Sequence, residues 1–254
     1  MSASRDASTN RLRFSVVTLF PEMFSLIREE GVVARALEKG RLSLETIFLR
    51  DFAQGARRNV DEHPVGGGDG MVLRPDVAAA ALESVLQPAS YVIHVTPSGK
   101  VFDNKIARDL ASREHLVLLC GRYAGFDSRL VSRYVHAELS LGDFVLSGGE
   151  LPALCMIDAV ARFIPGVLGN VTSAERDSFE DGLLEAPVYT KPLEWEGMAV
   201  PEVLQSGDHK RVEDYRRREQ LKLTARNRPD LVQLHWDSLT RSERTLVEKI
   251  WKHG

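Results

Sequence analysis

Along the first two thirds of the chain, short apolar runs alternate with stretches of helical periodicity. Phe14 to Phe20 is apolar and β-branched, the pattern of a buried strand, and Leu42 to Leu49, Tyr91 to Thr96, His115 to Cys120 and Ala137 to Leu141 read the same way. Pro21 opens a helical stretch with apolar Met23, Phe24, Ile27, Val33, Ala36 and Leu37, which Gly40 stops. Asp76 is expected to cap a helix to about Leu86, Asp103 one to about Arg113, and Asp127 one to Tyr134. Glu150 to Ile164 reads as a helix with apolar Leu154, Ile157, Ala161 and Ile164, and residues 51 to 71 as a long polar loop. Strands that alternate with helices predict an α/β fold, a mostly parallel sheet with helices on both faces. Ligands of such sheets bind beyond the carboxyl ends of the strands. Three glycine-bearing loops follow strands here: Thr96 to Lys100, Gly121 to Asp127, and Leu141 to Glu150.

The stretch Leu139 to Pro152 carries Gly142 and the pair Gly148-Gly149, where backbone can approach backbone or ligand. Taken alone it reads as two tight turns before a helix. From Pro165 to Pro192 glycine, proline, serine and acids dominate, as in a linker between domains. A strongly basic helix follows from about Asp208 to Asn227, then one or two more helices, with Thr240 and Glu243 spaced as a capping box. The expected division is a disordered tail over 1–12, an α/β domain over 13–164, a linker over 165–192 and a small helical domain over 193–254.

Composition changes this picture little. The chain is 43% apolar and 27% charged with a net charge of -3, so a polyanion site must come from local clustering. Cys120 and Cys155 lie in apolar runs and read as buried thiols in a reducing compartment; no His or Cys cluster has metal-ligand spacing. Met1 to Asn10 lacks the apolar core of a signal peptide, and no apolar run approaches membrane-spanning length, so the protein is expected in the cytoplasm. The run Val65 to Gly70 follows no apolar strand and is not a dinucleotide fingerprint, Gly99-Lys100 is not a P-loop, and Ser147-Gly148-Gly149 is not a nucleophile elbow. By spacing alone Asp177 is a solvated loop acid, Arg162 a snorkelling helix cation, and the basic face of Arg211, Arg216, Arg217, Arg218, Lys222, Arg226 and Arg228 either solvated surface or a phosphate contact.

Taken together, the motifs are specific. Cys-Gly-Arg-Tyr-Ala-Gly-Phe-Asp (Cys120 to Asp127) and Leu-Gly-Asp-Phe-Val-Leu-Ser-Gly-Gly-Glu (Leu141 to Glu150) closely resemble signatures of the bacterial tRNA (guanine-N1)-methyltransferases. So do the stretches Thr18 to Phe24, Arg162 to Gly169, Asp177 to Phe179, Asp181 to Glu185, Tyr189 to Pro192 and Val200 to His209, in order from about Phe14 to about Leu231. The resemblance implies a knotted α/β methyltransferase domain of the SPOUT class, with a C-terminal trefoil knot that binds S-adenosylmethionine (SAM), followed by a helical domain that helps hold tRNA. It implies a homodimer with active sites shared between subunits. It also implies methyl transfer to N1 of guanosine 37 in tRNA with guanosine at position 36. The SAM loops correspond to Thr96, Pro97 and Gly99, to Gly121, and to Ser140, Leu141, Gly142, Leu146, Gly148, Gly149 and Pro152; the catalytic pair corresponds to Asp177 as general base and Arg162 as electrostatic stabiliser.

The sequence departs from the family pattern at five places. Ala124 stands where the family's Cys-Gly-Arg-Tyr-Glu-Gly motif has a Glu associated with the active site and with magnesium dependence. Val65 and Asp69 replace Tyr and Pro in the glycine-rich loop, Phe144 replaces Tyr, and Val188 replaces His. Two alternatives to the leading expectation follow. One is a catalytically weakened relative that binds tRNA and SAM; the other is a methyltransferase of the same class with another RNA target.

Overall fold

The structure, a computed structural model, describes residues 11–168 and 177–253. The chain divides into two compact units, Met1–Val171 and Thr172–Gly254. The tail over 1–10 and linker positions 169–176 lie outside the described residues.

In the first unit, β1 (Leu12–Thr18) and β2 (Leu42–Phe48) flank the short helices α1 (Ser25–Glu29) and α2 (Gly31–Glu38). The two-residue strand β3 (Asp61–Glu62), within the expected loop, pairs antiparallel with β4 (Val72–Leu73) just after it, and α3 (Pro75–Glu83) follows. Then come β5 (Ser90–Val101), α4 (Asn104–Ala111), β6 (His115–Cys120), α5 (Ser128–Tyr134), β7 (Ala137–Ser140) and α6 (Glu150–Ala161). The central sheet has the order β2-β1-β6-β5-β7, and all its pairings are parallel. Its strands read as continuous apolar runs because both faces are covered. On one face Phe14, Val16, Leu116 and Leu118 pack with Ala36, Ala107, Leu110, Met156, Ile157 and Val160 from α2, α4 and α6. On the other, Val17, Val92, Val117 and Leu119 pack with Val77, Ala78, Ala81, Leu82 and Leu130 from α3 and α5. The expected α/β layering is what the chain adopts.

Several local expectations are corrected. The helix expected from Pro21 to Gly40 is broken: a 3-10 turn at Pro21–Phe24 leads into α1, and α2 starts only after Glu30 turns extended and Gly31 takes a φ of 86°. Asp76 does not cap α3; Arg74 holds that place before Pro75, and Asp76 pairs with it at 2.5 Å in the first turn. Pro97-Ser98-Gly99 does not end its strand. It bulges out between Val95 and Lys100, both of which pair with Leu139. Cys155 is exposed, because the buried face of α6 runs through Ala153, Met156, Ile157 and Val160. Cys120 is buried as expected.

The cap expectations at Asp103 and Asp127 hold, and Asp208 caps the basic helix as well, each carboxylate accepting a backbone N–H of the first turn. The second unit holds β8 (Glu194–Trp195), β9 (Met198–Ala199), α7 (Glu202–Gln205), α8 (His209–Asn227), α9 (Pro229–Leu234) and α10 (Arg241–His253), around a core that includes Leu183, Leu221, Ala225, Val232 and Val247. The capping box before α10 is formed in both directions: the Thr240 N–H donates to Glu243 Oε2 at 2.8 Å, and the Glu243 N–H to Thr240 Oγ1 at 3.3 Å.

Two buried histidines tie stability to pH. His115 lies between Ser15 and Ser90, at 2.8 and 2.7 Å, and burial, then the nearby Arg13 charge, lowers its pKa from 6.5. His94 is lowered by burial against the opposing pull of Glu138. The folded state thus resists protonation that the unfolded chain accepts. The stabilisation is complete above about pH 6.5 and declines as pH falls through the folded pKa values. His115→Gln is expected to flatten the loss of stability between pH 7 and pH 5 in urea titrations, and a slope equal to that of the parent would refute the assignment.

Candidate active site

The carboxyl ends of the adjacent strands β6, β5 and β7 open into a cavity of about 260 Å³. Its lining brings together Thr96 and Pro97 at the bulge of β5, Gly121 after β6, Ser140 at the end of β7, Leu141, Gly142, Leu146, Gly148 and Gly149 after it, and Pro152 in the first turn of α6. Gly99 is not among the lining residues. A Cβ built on it would lie 2.4 Å from Glu138 C and Leu139 N, so this glycine serves the approach of β5 to β7. His94, Val95, Arg122, Tyr123, Ala124, Phe144 and Val145 also line the cavity. The sequence reading missed His94 and Arg122 as site residues: His94 is an ordinary member of an apolar strand by pattern, and Arg122 has no signal beyond its place in a motif.

The loops are fastened to one another. The Gly149 N–H donates to Gly121 O at 2.9 Å, and Arg122 and Gly148 form an isolated antiparallel bridge. The Ala124 N–H donates to Met71 O at 2.9 Å, and the Leu73 N–H to Gly125 O at 2.9 Å. The end of the glycine-rich loop that holds Val65 and Asp69 is thereby tied to the 121–125 loop. Tyr123 is held at a φ of 58°, a conformation that costs energy for an aromatic residue.

Beneath these loops lies an ion pair. Glu150 is wholly buried, and Arg122 Nε faces its Oε2 at 2.9 Å. The N–H is not aimed at the oxygen, so attraction between charges rather than a hydrogen bond joins them. Thr18 Oγ1 donates to Glu150 Oε1 at 2.8 Å. Removing one partner of such a pair costs about 3–5 kcal/mol, because a buried charge is left alone. Burial, and then the Glu150 charge, pushes the Cys120 thiol well up and keeps it neutral. Asp127 is held down at about 2, first by its hydrogen bond from Arg129.

Arg162 is the C-cap residue of α6. Asp177 belongs to the second unit, where it lines an open cavity of about 830 Å³ with Glu185, Tyr189, Arg216 and Arg217 among others. Burial, then a hydrogen bond with Tyr189, pushes the Tyr215 phenol up to about 12. Along the basic stretch, Arg217 pairs with Asp181 and Glu243, Lys222 with Glu219 and Arg228 with Asp230. Arg211, Arg216, Arg218 and Arg226 are exposed. Among the described residues, no group of three or more His, Cys, Asp or Glu could hold a metal ion, and no helix is long and apolar enough to cross a membrane.

A parallel sheet with its cavity walled by three loops at adjacent carboxyl ends is the ligand site of an α/β protein of the open-sheet class. Residues 12–234 match the family described as tRNA (Guanine-1)-methyltransferase TrmD. The tRNA (guanine-N(1)-)-methyltransferase of Geobacter sulfurreducens is 48% identical over 245 residues, 96% of this chain and 99% of the relative. Its namesake in Dictyoglomus turgidum is 45% identical, over 95% and 97% of the two chains, and that of Thermus thermophilus 50% identical, over 87% and 92%. The chain belongs to the tRNA (guanine-N1)-methyltransferase family, and is thereby a member of a family of methyltransferases.

Proposed function

We propose that this protein transfers the methyl group of SAM to N1 of guanosine 37 in tRNAs with guanosine at position 36. The observation that carries the reading is the cavity at the ends of β5, β6 and β7, whose lining includes all the loop residues that the family resemblance assigns to the methyl donor except Gly99. Its walls suit such a molecule. Val95, Leu139, Leu141 and Phe144 offer apolar surface to an adenine, and the Thr96 and Ser140 hydroxyls with the glycine-loop main chain offer the few polar groups that orient it. When bound, SAM supplies an electrophilic methyl group on a sulfonium.

The chain's own task is then to prepare the nucleophile. N1 of guanine carries a proton at neutral pH and attacks poorly until that proton leaves. Asp177 takes the proton as general base. Arg162 stabilises the negative charge that then spreads from N1 toward O6. The loops position the donor for in-line displacement. The Ala124 side chain offers no oxygen to a metal ion where the family motif has Glu.

The exposed cations Arg211, Arg216, Arg218 and Arg226 support contact with tRNA phosphates. The exposed apolar side chains of Phe144, Val145 and Leu151, next to or within the cavity wall, support a homodimer that covers them and shares its active sites. The trefoil knot belongs to the same proposal, supported by the passage of the 147–149 segment against Gly121 and Arg122. The site of action is the cytoplasm, where tRNA is modified.

Labelled SAM with tRNA transcripts carrying G36-G37, A36-G37 or A37 tests the reading. Transfer to the first alone is expected, and should persist with a chelator present. Transfer that ignores both positions would point to another RNA target. SAM binding without transfer would mark a catalytically weakened relative, for which Ala124 is the structural motive.

A further inference from the structure

The Arg122–Glu150 pair is not used by the chemistry above, yet it joins four segments around the cavity. Arg122 lines the cavity, and its Nη1 donates to Ser147 O and Oγ at 3.3 and 3.4 Å. Nη2 contacts Met23 Sδ at 3.5 Å, and the guanidinium lies over the Phe20 ring at 4.3 Å. Glu150 is tied through Thr18 to the end of β1, and Thr18 Oγ1 in turn accepts the Phe20 N–H at 2.9 Å. Gly148 leaves the room that this arrangement occupies, besides lining the cavity. A Cβ there would lie 2.2 Å from Arg122 Nε and 2.6 Å from Glu150 Oε2.

Two positive sources meet at this wall. One is the guanidinium, and the other is the N-terminal end of α6, where the unpaired N–H groups of a helix concentrate partial positive charge. The Glu150 carboxylate, in the first turn of that helix, offsets both. From this we infer that Arg122 and Glu150 are positioning residues: the pair fixes the Ser147–Gly149 loop as a wall of the cofactor cavity, and Glu150 keeps that wall neutral so that it accepts a cationic sulfonium. The inference rests on the reading of the cavity as the SAM site.

Charge separates this role from a merely structural one. SAM carries a sulfonium, whereas the sulfur of the product S-adenosylhomocysteine is a neutral thioether of nearly the same shape. Loosening the loop weakens both ligands alike. Leaving the guanidinium uncompensated penalises SAM alone.

The test is titration calorimetry of the full chain with both ligands, together with hydrogen exchange of the backbone over residues 142–149 without ligand. Glu150→Gln is expected to weaken SAM about tenfold more than S-adenosylhomocysteine. Arg122→Gln should weaken both and, measured above the pH at which the now unpaired Glu150 takes up a proton, tilt the preference toward SAM. The double variant should restore the parent's preference with both affinities still reduced. Exchange over 142–149 should quicken in all three. Equal losses for the two ligands in Glu150→Gln would overturn the charge role, and unchanged exchange with unchanged affinities in Arg122→Gln would overturn the positioning role. Should Glu150→Gln not fold, the double variant, which buries no lone charge, carries the exchange measurement, and Arg122→Gln against the double variant carries the charge comparison. A parent protein that binds neither ligand refutes the donor assignment instead, while the exchange comparison still decides whether the pair holds the loop.

Discussion

Asp177→Asn is expected to lower the methyl-transfer rate about a thousandfold and to leave SAM binding within about twofold of the parent. Asparagine keeps the size and the planar head of the side chain but loses the negative charge and with it the ability to take a proton. Guanine N1 is a weak nucleophile while protonated, so the loss falls on the chemical step. General bases contribute about 10²–10⁴ in rate. Donor affinity should hold, because Asp177 is not among the residues that line the donor cavity. Single-turnover transfer to a G36-G37 transcript and calorimetry with SAM separate the two effects. Near-normal turnover would remove Asp177 from the mechanism. A parallel collapse of SAM binding would make it a structural residue.

A second large effect is expected at a glycine outside the cavity. Gly99→Ala should destabilise the first unit by about 3 kcal/mol, near the upper end for an inserted methyl group. The new Cβ would lie 2.4 Å from Glu138 C and Leu139 N, both main-chain atoms that cannot rotate away. Leu139 is pinned from both sides of the bulge, by pairing to Val95 and again to Lys100, so the strands cannot slide to make room. Gly121→Ala is the control. Its Cβ would meet only Phe126 ring carbons and the Gly125 Cα at 3.4–3.5 Å, an ordinary contact, although Gly121 lines the cavity. Thermal unfolding should show a drop of several degrees for Gly99→Ala and little change for Gly121→Ala. Equal melting temperatures for the two variants would refute the packing argument.

The contrast between those glycines marks how far the sequence could be read. Motif resemblance placed Gly99 and Gly121 in one class, as loop glycines of a cofactor site. Only three-dimensional distances separate a glycine that admits a neighbouring strand from one that faces a cavity. Gly148 is a third case, where a Cβ would displace the Arg122 and Glu150 side chains. The same limit explains Cys155. An apolar neighbourhood in sequence suggests burial, but the turn of α6 puts position 155 on its outer face. Asp76 failed as a cap for a local reason: Pro75 takes the first helical position and moves the cap back to Arg74.

What the sequence determined by itself was the layering, the caps at Asp103, Asp127 and Thr240, and the family. Buried parallel strands must be apolar on both faces, helix starts need an oxygen to receive their free N–H groups, and the ordered motifs are specific to one group of methyltransferases. What only the tertiary structure decided was which residues meet. Thr18, Arg122, Ser147 and Glu150 are spread over more than a hundred positions, and no periodicity relates them. The parallel sheet sets β6 beside β1 and β5, and so brings their carboxyl-end loops to one wall. There a buried carboxylate and a guanidinium must find each other, because neither charge is stable alone away from water.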